Sequence, residues 1–424
     1  MTGAGADSGA DAGADDNGGR RRGRVVVVAV VAVVAAAVLA LGAARMLTPT
    51  AVCGDGLVQA GEACDDGPGI VGDLCDTTCH WNVAVLPPSP IWVGFKDDDV
   101  TPERLRAAPS RRSDAFLLKA TEDARPATPV MLGGFAIMKT EVSNTAFDAF
   151  IRAEDPGKIE AIEGDPAARA WLETLVAQVR ERRRSAATPL QHDHADLPAT
   201  VLVDEAVAWC AWRGGRLPTD AEFEFAAKGS GRGRLFPWGD EKLSNAPDDC
   251  ERITAFFAIS DNPPQSFNCS GRKPSPVGSK PRGCTPEGVC DLAGNAAEFV
   301  LPGPVIWTPE PHPFDNTRTA LVPRLPGPLS QNTDSYEFLG HCNLNDPFGL
   351  RTGRVHDCVR NNTTPLLFSP QASHDAKDAL LIVRGGNFDD SLPLHYQTRA
   401  RYPHLLRDVP QGFRCVFEVE RVAD

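Results

Sequence analysis

The longest apolar run in the chain is VVVVAVVAVVAAAVLALGAA, residues 25–44, with no charge inside it. As a helix it is long enough to cross a hydrocarbon core of about 30 Å, and a transmembrane span over 25–45 is expected. Further along, the pattern changes to alternating periods. MLGGFAIM (131–138) reads as strand, and Thr145, Phe147 and Phe150 recur at helical spacing after Ser143 or Asn144, either of which can cap. Trp171, Leu172, Leu175, Val176 and Val179 form one stripe of a charged helix, whose arginine run beyond is read as a solvated face. Asp204 is placed as the cap of a helix with Val207, Cys210 and Ala211 on one face and Gly214–Gly215 as its stop. Thr219 and Glu222 then make a capping box for the next helix, which ends at Gly229, and LFPWGDE (235–241) turns around Trp238, Gly239 and Asp240.

The flanks of the apolar run set a direction. Arg20, Arg21, Arg22 and Arg24 precede it, and such charge tends to stay in the cytoplasm, which places everything after the span in the periplasm or at the cell surface. A cleaved signal peptide is the rival reading, disfavoured by the length of the run and of the arm before it. The arm itself, residues 1–24, is Gly, Ala and Asp with almost nothing to bury, and reads as disordered. All twelve cysteines follow residue 50, which suits an oxidising compartment. A formal charge of −13 without a basic stripe excludes a nucleic-acid partner.

Residues 53–80 hold Cys53, Cys64, Cys75 and Cys79 among glycines and aspartates, with too few apolar residues for a core. Two disulfides are the natural staple, in any of three pairings. Zinc is disfavoured, because paired C-x2-C knuckles are missing. The opening CGDGLVQAGEACDDG resembles the short cysteine-rich repeat of myxobacterial surface proteins. Residues 81–127 read as a linker, with Pro87 and Pro88 favouring extension, IWVGF (91–95) as a possible strand and DDDVTPERLRAA (97–108) as a helix start.

From 128 to 419 a series of motifs appears in order: EVSNTAF, AVAWCAWRGGRLPTDAEFEFAA, FPWGDE, PVGSKP, DLAGNAAEFV, VRGGNF and RARYP followed by GFRC. This series resembles the formylglycine-generating enzyme or sulfatase-modifying factor family. The resemblance implies an irregular, loop-rich α+β fold, distantly like C-type lectins. It also implies an oxidase that uses two cysteine thiolates to hold Cu(I), a soft ion that selects sulfur. Aligned on Arg384, Gly385 and Gly386, those two positions hold Asp390 and His395. A carboxylate and an imidazole cannot form a bis-thiolate site, so copper is not expected, no catalytic residue is assigned, and a binding or scaffold module is the expected role. An active formylglycine generator, or a different metal chemistry in the same groove, is the alternative.

The resemblance also implies a disulfide between Cys210 and Cys415, with a second family disulfide replaced by Ala227 and Ala400. It implies a structural calcium site, whose ligands carry over to Asp291, Glu298 and the Gly294 and Ala296 carbonyls, with a weaker second site near Asn245. Ala297 and Phe299 stand where the family has larger aromatics. Cys250 with Cys269, Cys284 with Cys290 and Cys342 with Cys358 pair by proximity in sequence. His192 and His194 are read as solvated, and residues 302–380 as a long insertion of unassigned role. The expected partners are the membrane, through 25–45, and a peptide or protein ligand.

Overall fold

The computed structural model describes residues 53, 57–59, 62–65, 73–76, 78–109, 112–121, 124, 127–159, 166–186, 194–261, 263–301, 306–307, 317–323, 336–343, 360–361, 381–390, 393–397, 401–404 and 410–419. The expected span at 25–45 lies outside them, and no described helix is long and apolar enough to cross a membrane.

The described helices are α1 (Pro102–Leu105), α2 (Asp114–Lys119), α3 (Asn144–Arg152), α4 (Pro166–Ala186), α5 (Val203–Trp212) and α6 (Asp220–Ala227). The strands are β1 (Val83–Leu86), β2 (Ser89–Val93), β3 (Thr128–Leu132), β4 (Phe135–Met138), β5 (Phe256–Asp261), β6 (Pro264–Asn268), β7 (Glu298–Val300), β8 (Ile306–Trp307), β9 (Thr317–Pro323), β10 (Tyr336–Asn343), β11 (Arg360–Asn361), β12 (Leu381–Arg384), β13 (Arg401–His404) and β14 (Val416–Glu418). They form small sheets ordered β1-β4-β14, β11-β3-β2, β13-β12-β7 and β10-β9-β8, and a β5-β6 hairpin. This mixture of short helices, small sheets and disulfides accords with the α+β expectation.

Local chemistry explains the helix starts. Ser143 Oγ accepts from Ala146 N at 3.1 Å and caps α3, which decides between the two candidates there. At α6, Thr219 Oγ1 accepts from Glu222 N at 3.2 Å while Glu222 Oε2 accepts from Thr219 N at 2.8 Å. Asp204 is not a cap. The cap of helix α5 lies two residues earlier, at Leu202, and Glu205 Oε2 reaches back to Leu202 N at 2.9 Å. The carboxylate three residues into the helix does the work assigned to the one before it.

Two apolar clusters meet around α5 and α6. Trp209, Phe150 and Phe413 pack with the buried Cys210–Cys415 disulfide, which ties α5 to the start of β14. Phe223 and Phe225 of α6 pack against Ile91, Val93, Phe135 and Ile137. Every residue of α6 is buried, including Asp220, Glu222 and Glu224.

The segment 81–127 departs from the linker expectation. β1 pairs antiparallel with β4, Val83 opposite Met138, and β2 pairs with β3, Ile91 opposite Val130. Phe95, Leu105, Leu117 and Ala124 form a further cluster with Leu394. The prolines that suggested a spacer sit in the short turn between β1 and β2, and the alternating apolar positions on either side are strand faces. In the cysteine module the pairing is nested, Cys53 with Cys79 and Cys64 with Cys75. Leu74 joins the main core and Asp73 pairs with Arg213 at the end of α5, so this small module leans on the larger one.

Candidate functional site

The two positions that sequence comparison singled out lie in contact. His395 Nδ1 stands 2.9 Å from Asp390 Oδ2, with Asp390 8% exposed. The turn that creates this contact starts from Arg384. Gly385 and Gly386 have φ of 86° and 68°, and a Cβ on Gly386 would come 2.8 Å from the Tyr396 ring and 3.1 Å from Asp390 Oδ2. A side chain there would separate the pair. Tyr396 Oη donates to the Asn387 carbonyl at 2.9 Å, and Gln397 Nε2 donates to the Arg104 and Leu105 carbonyls at 3.1 and 3.0 Å. Ser270 Oγ donates to the Phe388 carbonyl at 3.0 Å and Phe388 N donates to the Asn295 carbonyl at 2.9 Å. The loop is therefore fastened on both flanks.

Arg384 supplies the anchor beneath that loop. Its Nε donates to Asp220 Oδ1 at 2.5 Å and its Nη2 to Glu224 Oε2 at 2.7 Å. Glu224 also takes Lys228 Nζ at 2.5 Å and Gly94 N at 2.9 Å, and Lys228 Nζ reaches the Trp92 carbonyl at 2.8 Å. Burial raises the Glu224 carboxyl, but Lys228 and Arg384 outweigh it and hold it at about 2. Spacing at i and i+4 on α6 puts Asp220 and Glu224 on one face, the signal by which sequence could have found them.

A second buried network surrounds the expected calcium ligands. Glu298 is fully buried, and its two carboxylate oxygens accept from Arg414 Nη2 and Nε, each at 2.7 Å. Arg414 also donates to the carbonyls of Met138 at 3.1 Å and Cys290 at 2.9 Å. Asp291, at φ 57°, accepts from Gly278 N at 2.6 Å through Oδ2. Glu141, which the sequence reading passed over, accepts from Asn295 Nδ2 at 2.6 Å and Ala296 N at 2.9 Å. Burial raises the carboxyls of Glu141, Asp291 and Glu298, and Glu141 is raised further by the charges of Asp291 and Glu298.

Three buried carboxylates, Glu141, Asp291 and Glu298, thus act on one buried guanidinium, Arg414, which pairs directly with Glu298. Ala297 and Phe299 are buried at 1% and 0% exposure, so the smaller side chains at these positions still close the core.

The other candidates are placed less suggestively. Asn245 is exposed at φ 68°, in a turn where Asp249 Oδ2 already accepts from Ser244 N and Ala246 N at 2.9 and 3.1 Å. His194 is exposed, while His192, Ala400 and Cys358 lie outside the described residues. Of Cys342 only the backbone, on β10, is described, so its pairing is not. Cys250 joins Cys269 and Cys284 joins Cys290. Glu62, Asp65 and Cys79 are the one described group of three ligand-type side chains with atoms within 4.8 Å, but the Cys79 sulfur is spent on Cys53.

Comparison with known proteins places this geometry. Residues 110–419 match the sulfatase-modifying factor enzyme 1-like domain. The formylglycine-generating enzyme of Bos taurus is 30% identical over 195 residues, 41% of this chain and 50% of that protein. An inactive C-alpha-formylglycine-generating enzyme 2 of the same species is 52% identical over 42 residues, 10% of this chain and 14% of that one. Hercynine oxygenase of Mycolicibacterium smegmatis is 26% identical over 229 residues, 51% of this chain and 47% of that one. The chain thus spans half the length, or less, of these relatives.

The Glu224 network yields a pH prediction. Because its folded value of about 2 lies below the ordinary 4.5, its contribution is fully present above pH 4.5 and is lost as pH falls through about 2. Glu224→Gln leaves Lys228 and Arg384 buried without that carboxylate and should cost about 3–5 kcal/mol at pH 7. Urea unfolding of both proteins should show that gap narrowing steadily between pH 4.5 and pH 2.

Proposed function

The chain belongs to the family of sulfatase-modifying factor enzyme 1-like domains, and we propose that it is a membrane-anchored, extracytoplasmic member that has given up copper oxidase chemistry and serves as a binding or scaffold module. The observation that carries this reading is the Asp390–His395 contact at 2.9 Å. The loop brings together the two positions where the family's thiolate pair is expected, and they offer a carboxylate oxygen and an imidazole nitrogen in place of the two thiolates that select Cu(I). The described cysteines with side chains are paired in five disulfides, so none of them offers a thiolate while those bridges are closed. A relative whose own name marks it inactive makes such a loss plausible within the family.

The expected ligand is, on this reading, a peptide or protein segment. Incubating the full-length protein with Cu(I), oxygen and a cysteine-containing sulfatase-type peptide should give no aldehyde by mass spectrometry. Asp390→Cys with His395→Cys in one chain should restore tight copper uptake; conversion by the unaltered protein would overturn the proposal.

We further propose structural calcium held by the Asp291 and Glu298 carboxylates with the Gly294 and Ala296 carbonyls, adding positive charge where three carboxylates face one arginine. Calcium in about hundredfold excess over its dissociation constant should raise the unfolding midpoint by a few degrees. Asp291→Asn should abolish that rise, and an equal rise in the variant would remove Asp291 from the site.

Anchoring through 25–45 follows from the apolar run and the arginines before it. Full-length protein expressed in a bacterial host should stay in the membrane pellet at high salt and alkaline pH and leave only with detergent. Release by salt alone would end the anchor reading.

A further inference from the structure

Among the described disulfides, Cys284–Cys290 closes the shortest loop, a separation of 6 against 11 to 205 for the others. Both cysteines are half-buried, whereas Cys210 and Cys415 are sealed. Lys280 and Arg282 lie just before Cys284, and positive neighbours favour a thiolate when the bond opens.

The loop keeps its shape by other means. Thr285 N donates to the Val289 carbonyl and Gly288 N to the Thr285 carbonyl, each at 2.9 Å, and Val289 is fully buried. Gly283 sits so close to the Arg252 carbonyl that a Cβ would lie 1.9 Å from its oxygen. The bridge can therefore break without unfolding its surroundings, and the two thiols stay near enough to close again.

The far end of the loop connects to the buried network. Cys290 N donates to the Lys139 carbonyl at 2.7 Å, and the Cys290 carbonyl accepts from Arg414 Nη2 at 2.9 Å. Asp291 is the next residue, and Arg414 holds Glu298.

We propose that Cys284–Cys290 is a reversible thiol–disulfide exchange site, opened by an external protein or small-molecule dithiol, and that its state sets the tightness of the Asp291–Glu298 turn. In the exchange a partner thiolate attacks one sulfur, giving a mixed disulfide; the partner's second thiol resolves it. The site gains two electrons and two protons as two thiols, and the partner leaves as its disulfide.

The test uses the full-length protein in graded dithiothreitol, quenched with N-ethylmaleimide and mapped by mass spectrometry. Cys284 and Cys290 should become labelled while Cys210 and Cys415 remain bridged, and removal of reductant should reverse the labelling. Amide hydrogen exchange over 289–298 should rise about tenfold on opening, with α5 unchanged. The Cys284→Ser, Cys290→Ser double variant should show that faster exchange whatever the reductant. Labelling only in step with Cys210 and Cys415, or unchanged exchange over 289–298, would overturn the proposal, and the unaltered protein decides it even should the double variant fold poorly.

Discussion

A guanidinium sealed from water has to be answered by carboxylates, and Arg384 is 1% exposed. That constraint organises much of the domain. Asp220 and Glu224 must face it, which requires α6 to enter the interior whole; Glu224 must in turn be shared with Lys228 and Gly94 N, which draws in the turn after β2. Such an assembly contributes less net stability than its charges suggest, because dehydration costs most of what Coulomb attraction returns. Its effect is on geometry. The two ion pairs of Arg384, to Asp220 and Glu224, hold the end of β12 against α6, and from there the chain continues through Gly385 and Gly386 to the loop carrying Asp390.

Arg414 does the same for the other end of the site. Its guanidinium is shared among Glu298 and the carbonyls of Met138 and Cys290, three segments distant in sequence, and the next residue is bridged to Cys210. The VRGGNF and GFRC motifs are therefore in large part buried-charge devices. The buried partners that shape the fold, Arg384 and Arg414 with their carboxylates, are thus a different set of side chains from Asp390 and His395.

Sequence was most legible where a local rule decides the structure. The capping box at Thr219 and Glu222 depends on three-residue spacing alone, and the helical stripe of Trp171 to Val179 on periodicity alone. Segment 81–127 reads as a linker with at most an isolated strand because its strands are short and their partners, β3 and β4, lie well down the chain, so nothing within a local window reveals the pairing. Asp204 was misassigned because two acidic residues adjoin at that helix start, and only geometry tells that Glu205 reaches back. Glu141 is illegible for a related reason: an acid beside Lys139 and Thr140 reads as surface, and its burial is set by Asn295 and Ala296, 154 and 155 residues away.

Asp390 and His395 test how far position can be separated from chemistry. Their contact depends on a left-handed glycine under the carboxylate, on Tyr396 tied to Asn387, and on Gln397 tied to the two last carbonyls of α1. None of these supports requires sulfur at 390 or 395. The backbone so held brings the side chains at 390 and 395 together, here as an acid–imidazole pair at hydrogen-bond distance. Placement belongs to the glycines and to the buried Arg384 beneath them, while reactivity belongs only to the two side chains. Exchange at two positions can therefore alter the chemistry the loop presents while the contacts that hold the loop stay in place.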